Sequence, residues 1–301
     1  MDNSEQSIKI KKDKPHIVCV FGPTASGKTS YAIRLAKARG GEIVSCDSMQ
    51  IYKYMNIGTA KPTAQERAKV LHHMIDFVDP NTDYSVADYV ADAKKCIDDI
   101  LSRNKLPVIC GGTGLYADSL ISGIEFSEQK RDDEYRENLY KLAEDKGSGY
   151  VYELLKKADP IEAKKVHANN LKRVIRALEI CKTTGMTKTE ADRLAVRESG
   201  YDAEMYGLTM PRDILYDRIN RRVDKMIADG LEDEVRHLTD IGVRRSSTAM
   251  QAIGYKEMLR YTDGECDLQT AVEDIKRESR RYAKRQLTWF KRNKNIKWIE
   301  V

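Results

Sequence analysis

Ile17-Val18-Cys19-Val20-Phe21, followed by Gly22-Pro23-Thr24-Ala25-Ser26-Gly27-Lys28-Thr29, decides how this chain folds. A short run of apolar residues with no polar face is the kind of strand that a parallel sheet buries on both sides. The next stretch fits G-x-x-x-x-G-K-[ST]. Its glycines let backbone N–H groups close around phosphate oxygens, and the helix behind it points its positive end at the same place. Lys28 adds a mobile charge and Thr29 a hydroxyl able to hold Mg²⁺. The whole loop, Gly22 to Thr29, is therefore a candidate phosphate site, in the strand-to-helix context that such a loop requires.

Outward from the loop, Ser30 to Ala38 is a helical stretch stopped by Gly40-Gly41. A second strand, Glu42 to Cys46, ends at Asp47, and His73 to Val78 is a third candidate. Ser85 to Arg103 has Ser85 as its cap, with Val86, Tyr89, Val90, Ala93, Ile97 and Ile100 at helical spacing. Pro107 to Cys110 is a further strand that opens into Gly111-Gly112-Thr113-Gly114. This alternation predicts an α/β fold with a parallel sheet and covering helices.

Past Gly123 the character changes. From Asp132 to about Glu198 the chain is polar and helical throughout, with helices expected at Glu134 to Ala143, Tyr150 to Lys157 and Asn169 to Cys181. Tyr206 to Met210 restores a strand pattern before a long helix, Arg212 to Ala228. The favoured division is a polar lead over 1–15, a P-loop α/β core over 16–123 and 200–301, and a helical insertion over 124–199. Two sequential domains are the alternative. Only a return of Tyr206 to Met210 to the first sheet supports the insertion. Near the end, Leu268, Val272, Ile275, Tyr282 and Trp289 make Leu268 to Lys291 one helix about 36 Å long.

The 301 residues carry 52 Lys and Arg against 47 Asp and Glu, a net charge of +5 that excludes a histone-like composition. The excess is local: residues 273–297 alone sum to +7. That segment, interleaved with Tyr282, Trp289 and Phe290, suits a phosphate track along RNA. No apolar run approaches the length that spans a bilayer, and the N-terminus lacks a signal-peptide core. The six cysteines form no CxxC pair or finger spacing, so a reducing cytoplasm and no structural zinc are expected. His72-His73 reads as a pair making structural hydrogen bonds, since the other ligands of a metal site are missing.

Asp47 has two readings. At the carboxyl edge of the sheet, where ligands bind, it suits a general base; it equally suits the cap of the next turn. ATPases with this loop usually carry an Asp at the end of an apolar strand to support Mg²⁺. Here Pro107 to Cys110 ends in glycines, and Asp76 is a weak substitute.

The blocks GPTASGKT, DSMQIYKYMNIGTAKPT, HHMIDFVDP, YSVADY, GGTGLY, NNLKRVIRALEI, AIGYKEM and YAKRQLTWF occur in the order typical of bacterial tRNA dimethylallyltransferases, also called tRNA isopentenyltransferases. The chain resembles this family from about Ile17 to Trp298, least between Ser127 and Glu162, and lacks the C-terminal zinc finger of eukaryotic relatives. The resemblance implies transfer of a dimethylallyl group from dimethylallyl diphosphate to N6 of the adenosine 3′ of the anticodon, tRNA position 37, in tRNAs reading codons that begin with U. It implies that Gly22 to Thr29 grips a diphosphate, with Mg²⁺ at Thr29 as cofactor. Asp47 resembles the family's base, with Thr113 its companion beside the acceptor amine. An arginine on the helix after the returning strand stabilises the leaving group. Arg218 is favoured, and Arg222 is the alternative diphosphate contact. Asp47, Ser48, Met49 and Gln50 resemble the stretch that receives the flipped base, where Gln50 could pair with the adenine edge. Lys172, Arg173 and Arg176 resemble a tRNA-contacting block and Arg136 another; Arg281 and Arg285 lie in the basic segment. A cytoplasmic monomer binding the anticodon stem-loop, away from membranes, is expected.

Three other readings remain open on the residues alone. A P-loop kinase shares the loop and Asp47 but leaves the insertion and basic segment unexplained. A non-catalytic nucleotide-binding RNA protein is the second. A relative that prenylates free AMP is the third, although a mononucleotide needs no long basic surface.

Overall fold

The computed structural model describes residues 14–124, 132–195 and 198–301, so the expected polar lead lies almost wholly outside the described residues. β1 (His16–Phe21) runs into the glycine loop and α1 (Lys28–Ala38), and β2 (Gly41–Cys46) ends at Asp47. After α2 (Ala64–Arg67) and a short β3 (His72–His73), α3 (Val86–Ser102) leads to β4 (Leu106–Gly111) and α4 (Gly114–Ile121). Then come α5 (Asp133–Lys146), α6 (Ser148–Ala158), α7 (Pro160–Ala163), α8 (Leu171–Thr184) and α9 (Lys188–Ala195), before β5 (Asp202–Thr209). α10 (Arg212–Ala228), α11 (Leu231–Asp240), α12 (Tyr255–Thr262) and α13 (Leu268–Phe290) precede β6 (Lys297–Glu300).

Among the described residues the sheet has six strands in the order β3-β2-β4-β1-β5-β6, and every pair is parallel. Both faces are buried, which explains the unbroken apolar run of β1. Ile17, Cys19 and Phe21 pack with Tyr89, Ile97 and Ile100 of α3, Leu120 of α4 and Phe290 of α13. On the opposite face Val20 packs with Ala32, Ile33 and Ala36 of α1. Ser85 caps α3, its hydroxyl accepting from the Asp88 N–H while the Asp88 carboxylate returns to the Ser85 N–H. The carboxyl ends of β1, β2 and β4 meet in register, with Phe21 and Cys46 both opposite Gly111. The glycine loop and Asp47 leave this edge, where open parallel sheets bind ligands.

β5 pairs with β1 from His16–Asp202 to Phe21–Gly207, so the chain re-enters the first sheet after the helical segment. The chain divides into two compact units. One runs to Ile121 and resumes from Gly200 to Val301; the other is Ser122–Ser199. The second has its own core of Leu139, Val151, Leu155, Val174, Ile175 and Leu178, from α5, α6 and α8.

The expected third strand, His73 to Val78, pairs in the sheet only at His72 and His73, with a separate single bridge from Val78 to Tyr52. Met74 (φ 62°) and Asp76 (φ 63°) adopt left-handed backbone, which no strand continues. β6 was not anticipated: its half-buried Trp298 and Ile299 sit among charges, too few to make a pattern. Among the described residues no helix is long and apolar enough to cross a membrane.

Candidate active site

The glycine loop closes as its sequence demands. Gly27 is left-handed (φ 81°) at the N-cap of α1, and Ala25 is also at positive φ (63°). The N–H groups of Ala25, Gly27, Lys28 and Thr29 have no partner among the described residues, so they are free for an anion. Three residues of the loop have other work. The Pro23 carbonyl accepts from the Ser26 N–H at 3.3 Å and from the Lys28 ammonium at 3.4 Å. The Thr24 N–H donates to Gln286 Oε1 at 2.8 Å. The Ser26 hydroxyl is buried without a partner against Gly22, where an added Cβ would come within 2.8 Å of it. These contacts of Pro23, Thr24 and Ser26 shape the loop.

α13 holds the loop from behind. Gln286, 5% exposed, accepts from Thr24 and donates to the Gly112 carbonyl at 2.9 Å. Trp289 donates its indole N–H to Asp118 at 2.8 Å, and Phe290 stacks on Phe21 with centroids 4.8 Å apart. A Cβ on Gly112 would strike Gln286 at 2.2 Å, and one on Gly114 would strike Trp289 at 2.2 Å, so both glycines are needed for this approach.

Asp47 proves both of its readings compatible. Oδ1 accepts from the Met49 N–H (2.9 Å) and the Gln50 N–H (3.3 Å), capping the turn. Its other oxygen has no hydrogen-bond partner among the described residues, and Asp47 lines a cleft together with Lys28, Thr29, Ser45, His72 and Cys110. Thr113 ties the two edges of the site together. Its N–H donates to the Cys46 carbonyl (3.1 Å), and its hydroxyl accepts from the Ser48 N–H (3.0 Å) and lies 3.3 Å from the Ser48 hydroxyl. Met49 is half-buried against the cluster built by α10 to α13. Gln50 departs from expectation. Its amide donates to the Thr59 and Ala60 carbonyls, both at 3.2 Å, and its oxygen accepts from Ser45 at 3.4 Å. In this conformation it braces the 47–60 segment and has no amide hydrogen left for a base edge.

Of the two arginines on α10, Arg218 is exposed and Arg222 half-buried. Burial lowers the Arg222 guanidinium from its ordinary value, and Asp47 acts against that shift. Burial likewise lowers the Lys28 ammonium, with Arg222 adding to the effect and Asp47 opposing it. Lys28, Asp47 and Arg222 thus feel one another's charge. Of the two, Arg222 is the one whose charge couples to Lys28 and Asp47.

Two residues that no motif rule picks out also shape the site. Burial, and then the charge of Asp47, push the Tyr282 phenol up to about 12, and its hydroxyl interacts with Thr113. Glu234 accepts from the N–H groups of Asn56, Ile57 and Gly58 at 2.8 to 3.0 Å and from the Tyr255 hydroxyl at 2.6 Å, pinning the segment beyond Gln50. The sequence signal for Tyr282 was its place in the YAKRQLTWF block and for Glu234 the acidic first turn of α11; their partners lie far away along the chain. Burial raises the thiols of Cys46 and Cys110 to about 12 and that of Cys19 well above its ordinary value, so these cysteines are packing groups.

Basic residues expected to meet tRNA fall into two kinds. Lys172 and Arg173 at the start of α8 are exposed. Arg136 and Arg176 both bind Glu179, a carboxylate with 0% exposure, at 2.7 and 2.5 Å. On α13 Arg281 pairs with Glu278 at 2.7 Å, while Arg285 lies over the Tyr282 ring, 5.6 Å from its centroid. Glu273, Asp274 and Glu278 engage the cations of the first half of the basic segment, as does Asp224 of α10. Residues 273–285 keep a charge of +3 against these carboxylates and residues 286–297 carry +4, so both halves stay positive. His73 meets Glu42 at 2.7 Å, a structural contact. His72 Nδ1 lies 2.7 Å from the Val70 carbonyl, and burial holds its imidazole below the usual histidine value.

A family model described as IPP transferase matches residues 50–293. The chain is 47% identical over 288 residues to a tRNA dimethylallyltransferase of Oceanobacillus iheyensis, an alignment covering 96% of this chain and 92% of that protein. That span is too long to leave out the glycine loop or Asp47, which precede the family-model match. Among solved structures it resembles the full-length tRNA isopentenylpyrophosphate transferase of Bacillus halodurans, with TM-score 0.71 and 47% identity over 95% of this chain and 90% of that one. It also resembles a eukaryotic dimethylallyltransferase captured acting on tRNA, with TM-score 0.78 and 28% identity over 95% of this chain and 74% of that one.

Proposed function

This chain belongs to the IPP transferase family, and from that premise we propose how its cleft carries out prenyl transfer. The protein is a transferase that places a dimethylallyl group on tRNA. The donor in our reading is dimethylallyl diphosphate, and the acceptor is N6 of the adenosine 3′ of the anticodon. The observation that carries this reading is the cleft itself, where the Asp47 carboxylate and the phosphate loop share one wall.

The exocyclic amine of adenine is a poor nucleophile, because its lone pair is delocalised into the ring. The unpartnered oxygen of Asp47 aligns that amine and takes its proton as the carbon–nitrogen bond forms. As the allylic carbon–oxygen bond breaks, the electron pair leaves with diphosphate, and negative charge grows on its oxygens. The free N–H groups of Ala25, Gly27 and Lys28, the Lys28 ammonium and the Arg222 guanidinium meet that charge. Thr113 and Tyr282 keep the Asp47 side of the cleft in place. Arg136, Lys172, Arg173, Arg176 and Arg285 are the tRNA phosphate contacts in this scheme.

Among the described residues no cluster of three acidic, histidine or cysteine groups could hold a metal by itself. The Thr29 hydroxyl, with the donor's phosphate oxygens and water, is the oxygen-rich and mostly aqueous set that Mg²⁺ accepts. Bound there, Mg²⁺ supplies neutralisation of the diphosphate charge. In this reading the protein works on the anticodon stem-loop in the cytoplasm, where tRNA is found, as a monomer.

The test is a synthetic anticodon stem-loop incubated with the protein, Mg²⁺ and dimethylallyl diphosphate. A five-carbon mass gain on adenosine is expected; phosphate transfer from ATP in its place would refute the reading. Asp47→Ala should lower turnover about 10²- to 10⁴-fold while stem-loop binding persists. Unchanged turnover would remove Asp47 from the mechanism.

A further inference from the structure

The paired histidines do different things. His73 is satisfied by Glu42. His72 has its Nδ1 against the Val70 carbonyl at 2.7 Å. A carbonyl oxygen only accepts, so Nδ1 carries the hydrogen and Nε2 keeps the lone pair. That Nε2 is buried and has no partner among the described residues. Its side chain lines the same cleft as Lys28, Thr29 and Asp47.

A buried acceptor with nothing to accept from points to a hydrogen donor that the protein does not supply. Lys28, Thr29 and Ser45 also line the cleft, but none of them hydrogen-bonds to Nε2, and the adenine amine of our reading is engaged by Asp47. Diphosphate oxygens are themselves acceptors and repel a lone pair. The dimethylallyl group has no polar hydrogen. Water bound to a metal ion is a strong donor, because the ion polarises its O–H bonds, and Mg²⁺ retains several such waters. The strand that in ATPases supplies a carboxylate to this shell ends here in Cys110-Gly111-Gly112.

We propose that His72 Nε2 accepts a hydrogen bond from a water on the Mg²⁺ held at Thr29, anchoring the ion's hydration shell from the β3 side of the cleft. This rests on the diphosphate reading of the loop. His72 is a positioning residue that touches neither the amine nor the allylic carbon.

Inorganic diphosphate is the probe. Its binding to the full chain is measured by calorimetry across a Mg²⁺ titration for the wild type, His72→Ala and His72→Gln, and again in EDTA. The Mg²⁺ concentration at half-maximal binding should rise about 10-fold or more in His72→Ala. It should recover in part in His72→Gln, which returns an acceptor near the position of Nε2. Binding in EDTA should be the same in all three. If His72→Ala melts early, His72→Leu, which keeps bulk without an acceptor, carries the same comparison. Equal Mg²⁺ midpoints in the wild type and the acceptor-free variant overturn the proposal. So does a loss in EDTA as large as that with Mg²⁺, which would make His72 a diphosphate contact. A wild type that binds no diphosphate at any Mg²⁺ level overturns the diphosphate reading as well, whereas normal Mg²⁺-dependent binding with an unmoved midpoint overturns the role of His72 alone.

Discussion

Removing Gln286 should unfasten the phosphate loop from α13. The side chain is buried and spans two backbone groups, accepting from Thr24 and donating to Gly112. In Gln286→Ala both groups stay buried without a partner, and each such orphan costs about 1–3 kcal/mol. The sum, about 2–6 kcal/mol, corresponds to a fall of about 4–24 °C in melting temperature for a unit of this size. The neighbouring Arg285 is exposed, so Arg285→Ala is the control and should shift stability by no more than about 0.5 kcal/mol. Gln286→Glu refines the point, since it preserves an acceptor for Thr24 but sets an oxygen against the Gly112 carbonyl. Thermal unfolding followed by circular dichroism is the assay, with diphosphate affinity measured below the transition. A Gln286→Ala protein that melts within the range of the Arg285→Ala control would refute the clamp, because water would then be satisfying both backbone groups.

Glu42 gives a pH signature. Hydrogen bonds from Arg103, then Lys105 and His73, hold its carboxyl well below the ordinary value of 4.5. The stability this provides is complete above that value and is lost as pH falls through and below it toward the folded value. Glu42→Gln should therefore be less stable at neutral pH and show a shallower acid limb; parallel melting curves across acidic pH would contradict this. Glu179→Ala should destabilise the Ser122–Ser199 unit by about 2–3 kcal/mol, less than the ~3–5 kcal/mol of a fully buried broken pair because Arg136 and Arg176 both reach solvent; an unshifted unfolding midpoint would count against it. Stem-loop affinity should fall linearly in log–log form with rising salt as several phosphates are contacted, and a flat profile would dismiss the basic residues as a binding surface.

The parts of the site that were legible in the sequence are those whose chemistry is local. Gly22 to Thr29 is a contiguous motif, and Asp47 follows its strand directly. Ser85 and Asp88 form a cap within four residues. What escaped is held by pairs distant in sequence. Gln286 reads as one polar residue on a basic helix until Thr24 and Gly112 are seen beside it. Glu234 reads as part of an acidic helix start until the Asn56 to Gly58 amides arrive. Arg218 and Arg222 lie one helical turn apart with the same chemistry, so only burial separates them. The third strand failed for a different reason: left-handed backbone at Met74 and Asp76 is a tertiary choice that these residue types do not announce.

The parallel pairing of β1 with β5 also bears on how the protein can be made and cut. β1 carries the phosphate loop, yet the strand that covers one of its sides comes after residues 122–199 in the chain. During synthesis the Ile17 to Phe21 backbone must wait, one edge open, until residue 207 has left the ribosome. An apolar strand with an unpaired edge is a template for aggregation. A fragment that ends after α4 retains the complete glycine loop but not a complete sheet. The first part of this chain is therefore no portable phosphate-binding module, and the loop becomes usable only once the second half has been made.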